Sequence, residues 1–189
     1  MKNAFPVFSS RQFHSGCLLA AAFFVSLGVA LAAPQPASSS TDVQREAMRK
    51  LSFLAGRWSG PVTIVRGPGE PLHLTQTEDI QYKLDGLVLL IEGKSTSAGG
   101  KVVFSGLATI AYDDASNTYR FRAYNNGHYL DTKLTVAANR FSWGFRAGPA
   151  RIVNTMRLTA KGEWNEVTEV TVGNNPPHRS VEMLLRRQP

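Results

Sequence analysis

Leu51-Ser52-Phe53-Leu54-Ala55-Gly56-Arg57-Trp58-Ser59-Gly60 is the stretch on which the fold turns. Upstream of it, Val43, Ala47, Leu51 and Leu54 recur at helical intervals and give one apolar face. Thr41 and Gln44 have the spacing of a capping box, in which the threonine oxygen accepts the N3 amide and the glutamine reaches back. Gly56 suits the left-handed position that ends a helix. One helix of about 14 residues is therefore expected to lead into Trp58. Downstream of Trp58 the period changes from that of a helix to that of a strand.

Ten segments between 58–66 and 178–187 alternate or are rich in β-branched and aromatic residues. Turn chemistry separates them about every ten positions, including Gly67-Pro68-Gly69, Asp85-Gly86, Gly99-Gly100, Asn126-Gly127, Gly148-Pro149 and Lys161-Gly162. Asp85-Gly86 between two apolar runs is the strongest hairpin signal. The connections are too short for crossover helices, so neighbours in sequence are expected to pair antiparallel. A meander of ten strands leaves two long edges unless it closes on itself. The expected fold is all-β: an antiparallel up-and-down barrel of about ten strands with a short N-terminal helix. A β-sandwich is the competing architecture.

Alternation divides the side chains without saying which face is the inner one. Phe141, Trp143 and Phe145 share a face opposite Arg140, Ser142 and Arg146. Tyr119, Phe121 and Ala123 likewise oppose Arg120, Arg122 and Tyr124. With the aromatic face inward, Phe121, Trp143 and Phe145 are the apolar candidates for contact with a ligand. With the other face inward, Arg120, Arg122 and Tyr124 supply polar contacts. Both sets cannot line one layer of a barrel. A ten-stranded barrel is wider than side chains readily fill, which favours an internal cavity.

Residues 1–32 read as a secretory signal: Lys2 and Arg11 precede an apolar run from Leu18 to Leu31, and Ala30-Leu31-Ala32 offers the small-x-small cleavage pattern. Residues 33–41 read as a flexible tether, and 42–187 as the barrel domain. The one cysteine, Cys17, falls within the signal and ahead of its apolar run, so neither lipidation nor a disulfide is expected in the mature chain. Loss of Lys2 and Arg11 lowers the formal charge from +7 to +5. The remaining arginines are scattered, not arranged in the dense stripe that nucleic acid requires. The expected location is secreted, in the periplasm, with no stable membrane anchor after cleavage.

A Gly-x-Trp motif after a short helix, here Gly56-Arg57-Trp58, leading into an up-and-down barrel, resembles the calycins: lipocalins, fatty-acid-binding proteins and nitrobindin-like barrels. The order Leu51-x-x-Leu54-x-Gly56-x-Trp58-x-Gly60 with a terminal Leu184-Leu185-Arg186-Arg187 is similar to secreted bacterial calycin-like proteins of unknown function. The resemblance implies that Trp58 closes one end of the barrel beneath Arg186 or Arg187, in a cation–π contact. Its nitrobindin-like branch implies haem, with a histidine near the start of the last strand. Gly56, Trp58 and Gly60 match that branch, Val62 replaces its third glycine, and His178 occupies the histidine's location as the candidate metal ligand.

Catalytic motifs are missing from the sequence. Gly93-Lys94-Ser95-Thr96 mimics the end of a phosphate loop, but Val88 stands where its first glycine belongs. Asp113-Asp114 reads as a hairpin turn rather than a calcium loop. Glu163, Glu166 and Glu169 form no pair with an evident reason for a shifted pKa. The expectation is a non-enzymatic barrel that binds a small hydrophobic or amphipathic molecule. The alternatives are a haem protein using His178, and a ligand-free envelope or protein-interaction module.

Overall fold

A computed structural model describes residues 40–189. The signal assigned to 1–32, Cys17 within it, and all but the end of the 33–41 tether lie outside the described residues. One helix, α1 (Ser40–Arg49), and a 3-10 turn (Ser52–Leu54) precede ten strands: β1 (Gly56–Ile64), β2 (Leu72–Lys83), β3 (Val88–Thr96), β4 (Val102–Asp113), β5 (Thr118–Asn125), β6 (His128–Ala137), β7 (Arg140–Ala147), β8 (Ala150–Leu158), β9 (Trp164–Val172) and β10 (His178–Arg187). Each strand pairs antiparallel with its neighbours in sequence, and β1 pairs with β10, so the sheet is a closed barrel. Closure leaves neither end of the meander as a free edge, as the sequence predicts.

Closure depends on a close approach at Gly60. A Cβ there would lie 2.2 Å from the carbonyl oxygen of Leu184 on β10. Trp58, two residues earlier, is buried and faces inward. Its indole Nε1 donates to the Leu54 carbonyl at 2.7 Å, and its ring meets Trp164 edge-on at 5.7 Å. Arg187, its partner in register on β10, places its guanidinium carbon 4.3 Å from the Trp58 ring centroid. The same guanidinium donates to the carbonyls of Phe53, at 2.8 Å, and Ala55. Arg187 is thus the cation over the plug, while Arg186 pairs outside with Glu163 at 3.0 Å. Gly56 has φ +118°, and a Cβ there would meet the Arg187 guanidinium at 2.6 Å.

The helix differs from its expected length. It begins at Ser40 and stops at Arg49, and the chain reaches Trp58 through a turn and the 3-10 turn. Barrel side chains take the carbonyls that a longer helix would use. Tyr119 of β5 donates to the Ala47 carbonyl and Tyr82 of β2 to the Met48 carbonyl, each at 2.7 Å. Gln44 reaches Asp114, in the β4–β5 turn, at 2.8 Å, and Ser40 donates to the same carboxylate. The helix therefore covers the plugged end as a docked element, with Met48, Leu51 and Leu54 buried beneath it.

Candidate functional site

The inner face carries Val62 of β1, Leu74 of β2, Ile91 of β3, Phe121 of β5, Phe141 of β7 and Met183 of β10. These residues do not fill the barrel. A cavity of about 530 Å³ runs from the layer of Phe141 and Trp164 toward the opposite end, where Val65, Arg66, Val103 and Phe104 form its rim. Trp58 lies below this layer and outside the lining, consistent with a structural plug.

Polar side chains converge on one side of this apolar chamber. Glu78 of β2 is buried, and its Oε1 accepts from Gln76 Nε2 at 2.7 Å. Gln76 in turn accepts from Ser95 of β3. Glu78 lies opposite Gly93, where a Cβ would come within 2.8 Å of its Oε2. The glycine and serine of the apparent phosphate-loop remnant thus serve this buried group: Gly93 leaves room for the carboxyl and Ser95 orients its neighbour. From β9, Glu166 accepts from Trp164 Nε1 at 2.9 Å. Glu166 is half-buried, with its exposed part opening onto the cavity. Asn154 of β8 is buried, with its Oδ1 accepting from Thr168 at 2.6 Å, and its Nδ2 finds no partner among the described residues.

Burial disfavours the charged form of both carboxyls. It pushes Glu78 up to about 8, against the hydrogen bond from Gln76 and with a further push from the charge of Glu166. It pushes Glu166 up to about 7, against the hydrogen bond from Trp164. The reason for the Glu166 shift is its burial in the closed barrel, which the spacing of Glu163, Glu166 and Glu169 along the chain does not reveal. The acid whose titration Glu166 in turn raises is Glu78 of β2, not a glutamate near it in the chain. One signal was present in the sequence: Leu74-x-Gln76-x-Glu78-x-Ile80 puts two polar residues on a face flanked by apolar ones.

The residues singled out from sequence separate into three groups. Phe121 and Trp143 line the cavity, stacked at 4.5 Å, and Tyr124 joins the lining near its mouth. Phe145 stacks on Trp143 at 6.0 Å but faces a separate groove beside Lys133, Arg146 and Arg151. Arg120 and Arg122 point outward and share Asp131 of β6, with Arg122 Nε 2.8 Å from Oδ2. The aromatic side of β5 is thus the inner one. Arg122, and then Arg120, hold the half-buried Asp131 carboxyl below its usual range.

His178 is exposed at the start of β10 and is not among the cavity's lining residues. No histidine is among those residues, so the chamber offers no imidazole to a haem iron. Its polar donors are carboxyls, amides and hydroxyls, and beside them only the Met183 thioether and Tyr124 are of a type that ligates haem iron, so the histidine ligation that the resemblance implies has no counterpart in the chamber. Val62, at the position of the third glycine, instead fills part of the interior.

No family model matches the chain, and no curated protein matches it. Among solved structures, the crystal structure of Rv2717c from M. tuberculosis is similar with a TM-score of 0.57 at 13% sequence identity, over 76% of this chain and 98% of that one. At that identity the likeness is one of fold: a closed antiparallel barrel of ten strands with a short helix over one end.

Proposed function

We propose that this protein is a calycin-like binding barrel that takes a small amphipathic molecule into its interior and carries out no chemistry on it. The observation that supports this reading is the cavity of about 530 Å³, apolar on most sides and polar on one. Ligand pockets have this size and character: apolar walls supply affinity and a few placed polar groups supply orientation. The ligand's apolar part lies against the apolar walls, Phe121 and Trp143 among them, and its polar part reaches the side of Gln76 and Asn154. On this reading the barrel works after export, in the periplasm, with residues 1–32 removed.

Two measurements test the proposal. Native mass spectrometry of the purified protein is expected to show a bound small molecule that denaturation releases. Nile red, a neutral apolar dye, is expected to brighten on binding. Ala123→Trp fills the cavity from β5 and is expected to abolish that signal while the circular dichroism stays that of a β-barrel. Undiminished dye binding in the folded Ala123→Trp protein would count against an internal site.

A further inference from the structure

Glu78 and Glu166 are two acids on the wall of one enclosed chamber, with no base between them. Glu78 Oε1 is taken by Gln76 and Glu166 Oε2 by Trp164, while Glu78 Oε2 and Glu166 Oε1 accept from no described residue. The one basic residue of the lining is Arg66, which is exposed at the rim. Buried carboxyls are ordinarily paired with a cation or kept protonated by their surroundings. A core built only for packing has no use for two such groups facing a void. Asn154 adds a donor beside them with nothing to donate to among the described residues.

From this arrangement we infer that the ligand carries a protonated amine, which enters head-first and donates to the free oxygens of Glu78 and Glu166. The inference rests on the binding function proposed above and names the head group of that ligand. An acceptor oxygen next to the amine, a hydroxyl or a carbonyl, takes the hydrogen bond from Asn154 Nδ2. Register sets the orientation. Gln76 and Asn154 lie one inward-facing step nearer the mouth than Glu78 and Glu166. The rim beyond them is apolar, with Val65, Val103, Phe104 and Leu107. The polar head is therefore deep and the apolar tail lies toward the opening. An ammonium draws both carboxyls into their charged form, whereas a neutral head leaves them protonated and a carboxylate head opposes their ionisation.

Three probes with one tail and different heads test this: decylamine, decanol and decanoate, each titrated at pH 7 by competition with Nile red and by tryptophan fluorescence. Trp143 and Trp164 line the cavity and report occupancy directly. Decylamine is expected to bind about ten-fold or more tighter than the other two, the scale of a charge-assisted hydrogen bond in place of a neutral one. Glu78→Gln with Glu166→Gln keeps the shape and removes the charge, and is expected to erase that preference while decanol still binds. If decanol or decanoate matches the amine, or if the preference survives in the double variant, the head-group inference fails and the binding cavity stands. If none of the three binds, the cavity reading itself fails. The protein with 2-amino-1-decanol gives the last arm: a gain over decylamine that Asn154→Ala removes supports the role of Asn154, and no gain overturns it.

Discussion

Arg187 is exposed yet holds the plugged end of the barrel together. Its guanidinium lies over Trp58 and donates to the carbonyls of Phe53 and Ala55. It therefore joins the last strand, the 3-10 turn and the plug. A methionine keeps much of the stem and loses the charge and the fork, so Arg187→Met is expected to cost about 2 kcal/mol in denaturant unfolding. Arg187→Lys should recover only part of that, because an ammonium does not reproduce the forked geometry. Leu84 presents the opposite case. It has φ +49° and is 72% exposed in the β2–β3 turn, so it bears left-handed strain without burial to offset it. Leu84→Asn is expected to stabilise the protein by about 1 kcal/mol, read as a higher denaturation midpoint with an unchanged slope. The Asn126-Gly127 turn, with φ of +49° and +77°, shows the residues such a conformation prefers.

The elements differ in how firmly the barrel holds them. A helix of ten residues is marginal in isolation, so α1 persists through its docking. Tyr82 and Tyr119 hold its C-terminal carbonyls and Asp114 holds its first turn. Replacing both tyrosines by phenylalanine keeps the rings and removes two hydrogen bonds, each worth about 1 kcal/mol. Faster amide exchange across Ser40–Arg49, with the strands unaffected, is the expected result; equal acceleration throughout would mean that helix and barrel unfold as one unit. The β6–β7 ladder is shorter than its neighbours, running only from Leu134↔Trp143 to Ala137↔Arg140. Beyond it the Thr132 hydroxyl donates to the Gly144 carbonyl at 2.8 Å.

At the scale of the whole molecule the buried acids couple stability to pH. The folded protein holds Glu78 at about 8 and Glu166 at about 7. In an unfolded chain glutamates titrate near 4.3, so between these limits the folded state binds more protons than the unfolded. Their contribution to stability is fully present below about pH 4 and is lost as pH rises through the folded values. Stability is therefore expected to decline between about pH 5 and pH 8. Glu78→Gln should raise stability at pH 8 by an amount on the order of 3 kcal/mol and change it little near pH 4. Thermal unfolding from pH 4 to pH 8 checks this: the variant should lose less stability over the range, and a decline as steep as that of the parent would sink the assignment.

Much of this architecture was legible from local pattern. Strand count, turn positions and antiparallel order follow from a period of two broken by Gly, Asn and Asp, because each depends on residues close in the chain. The place of Trp58 was implied by the resemblance of its Gly-x-Trp motif, whereas Gly56, expected to end the helix, stands in β1 and leaves room for the Arg187 guanidinium. The end of the helix was not legible, because Tyr82 and Tyr119 that terminate it lie on distant strands. The cavity's polar side was not either. Glu78 and Glu166 belong to β2 and β9, which share no ladder and face one chamber only because β1 pairs with β10. Sequence by itself thus determined the strands, their order and the plugged end. Tertiary closure alone decided which face is the interior and which buried charges share it, because those relations are fixed by register across the barrel and not by neighbours along the chain.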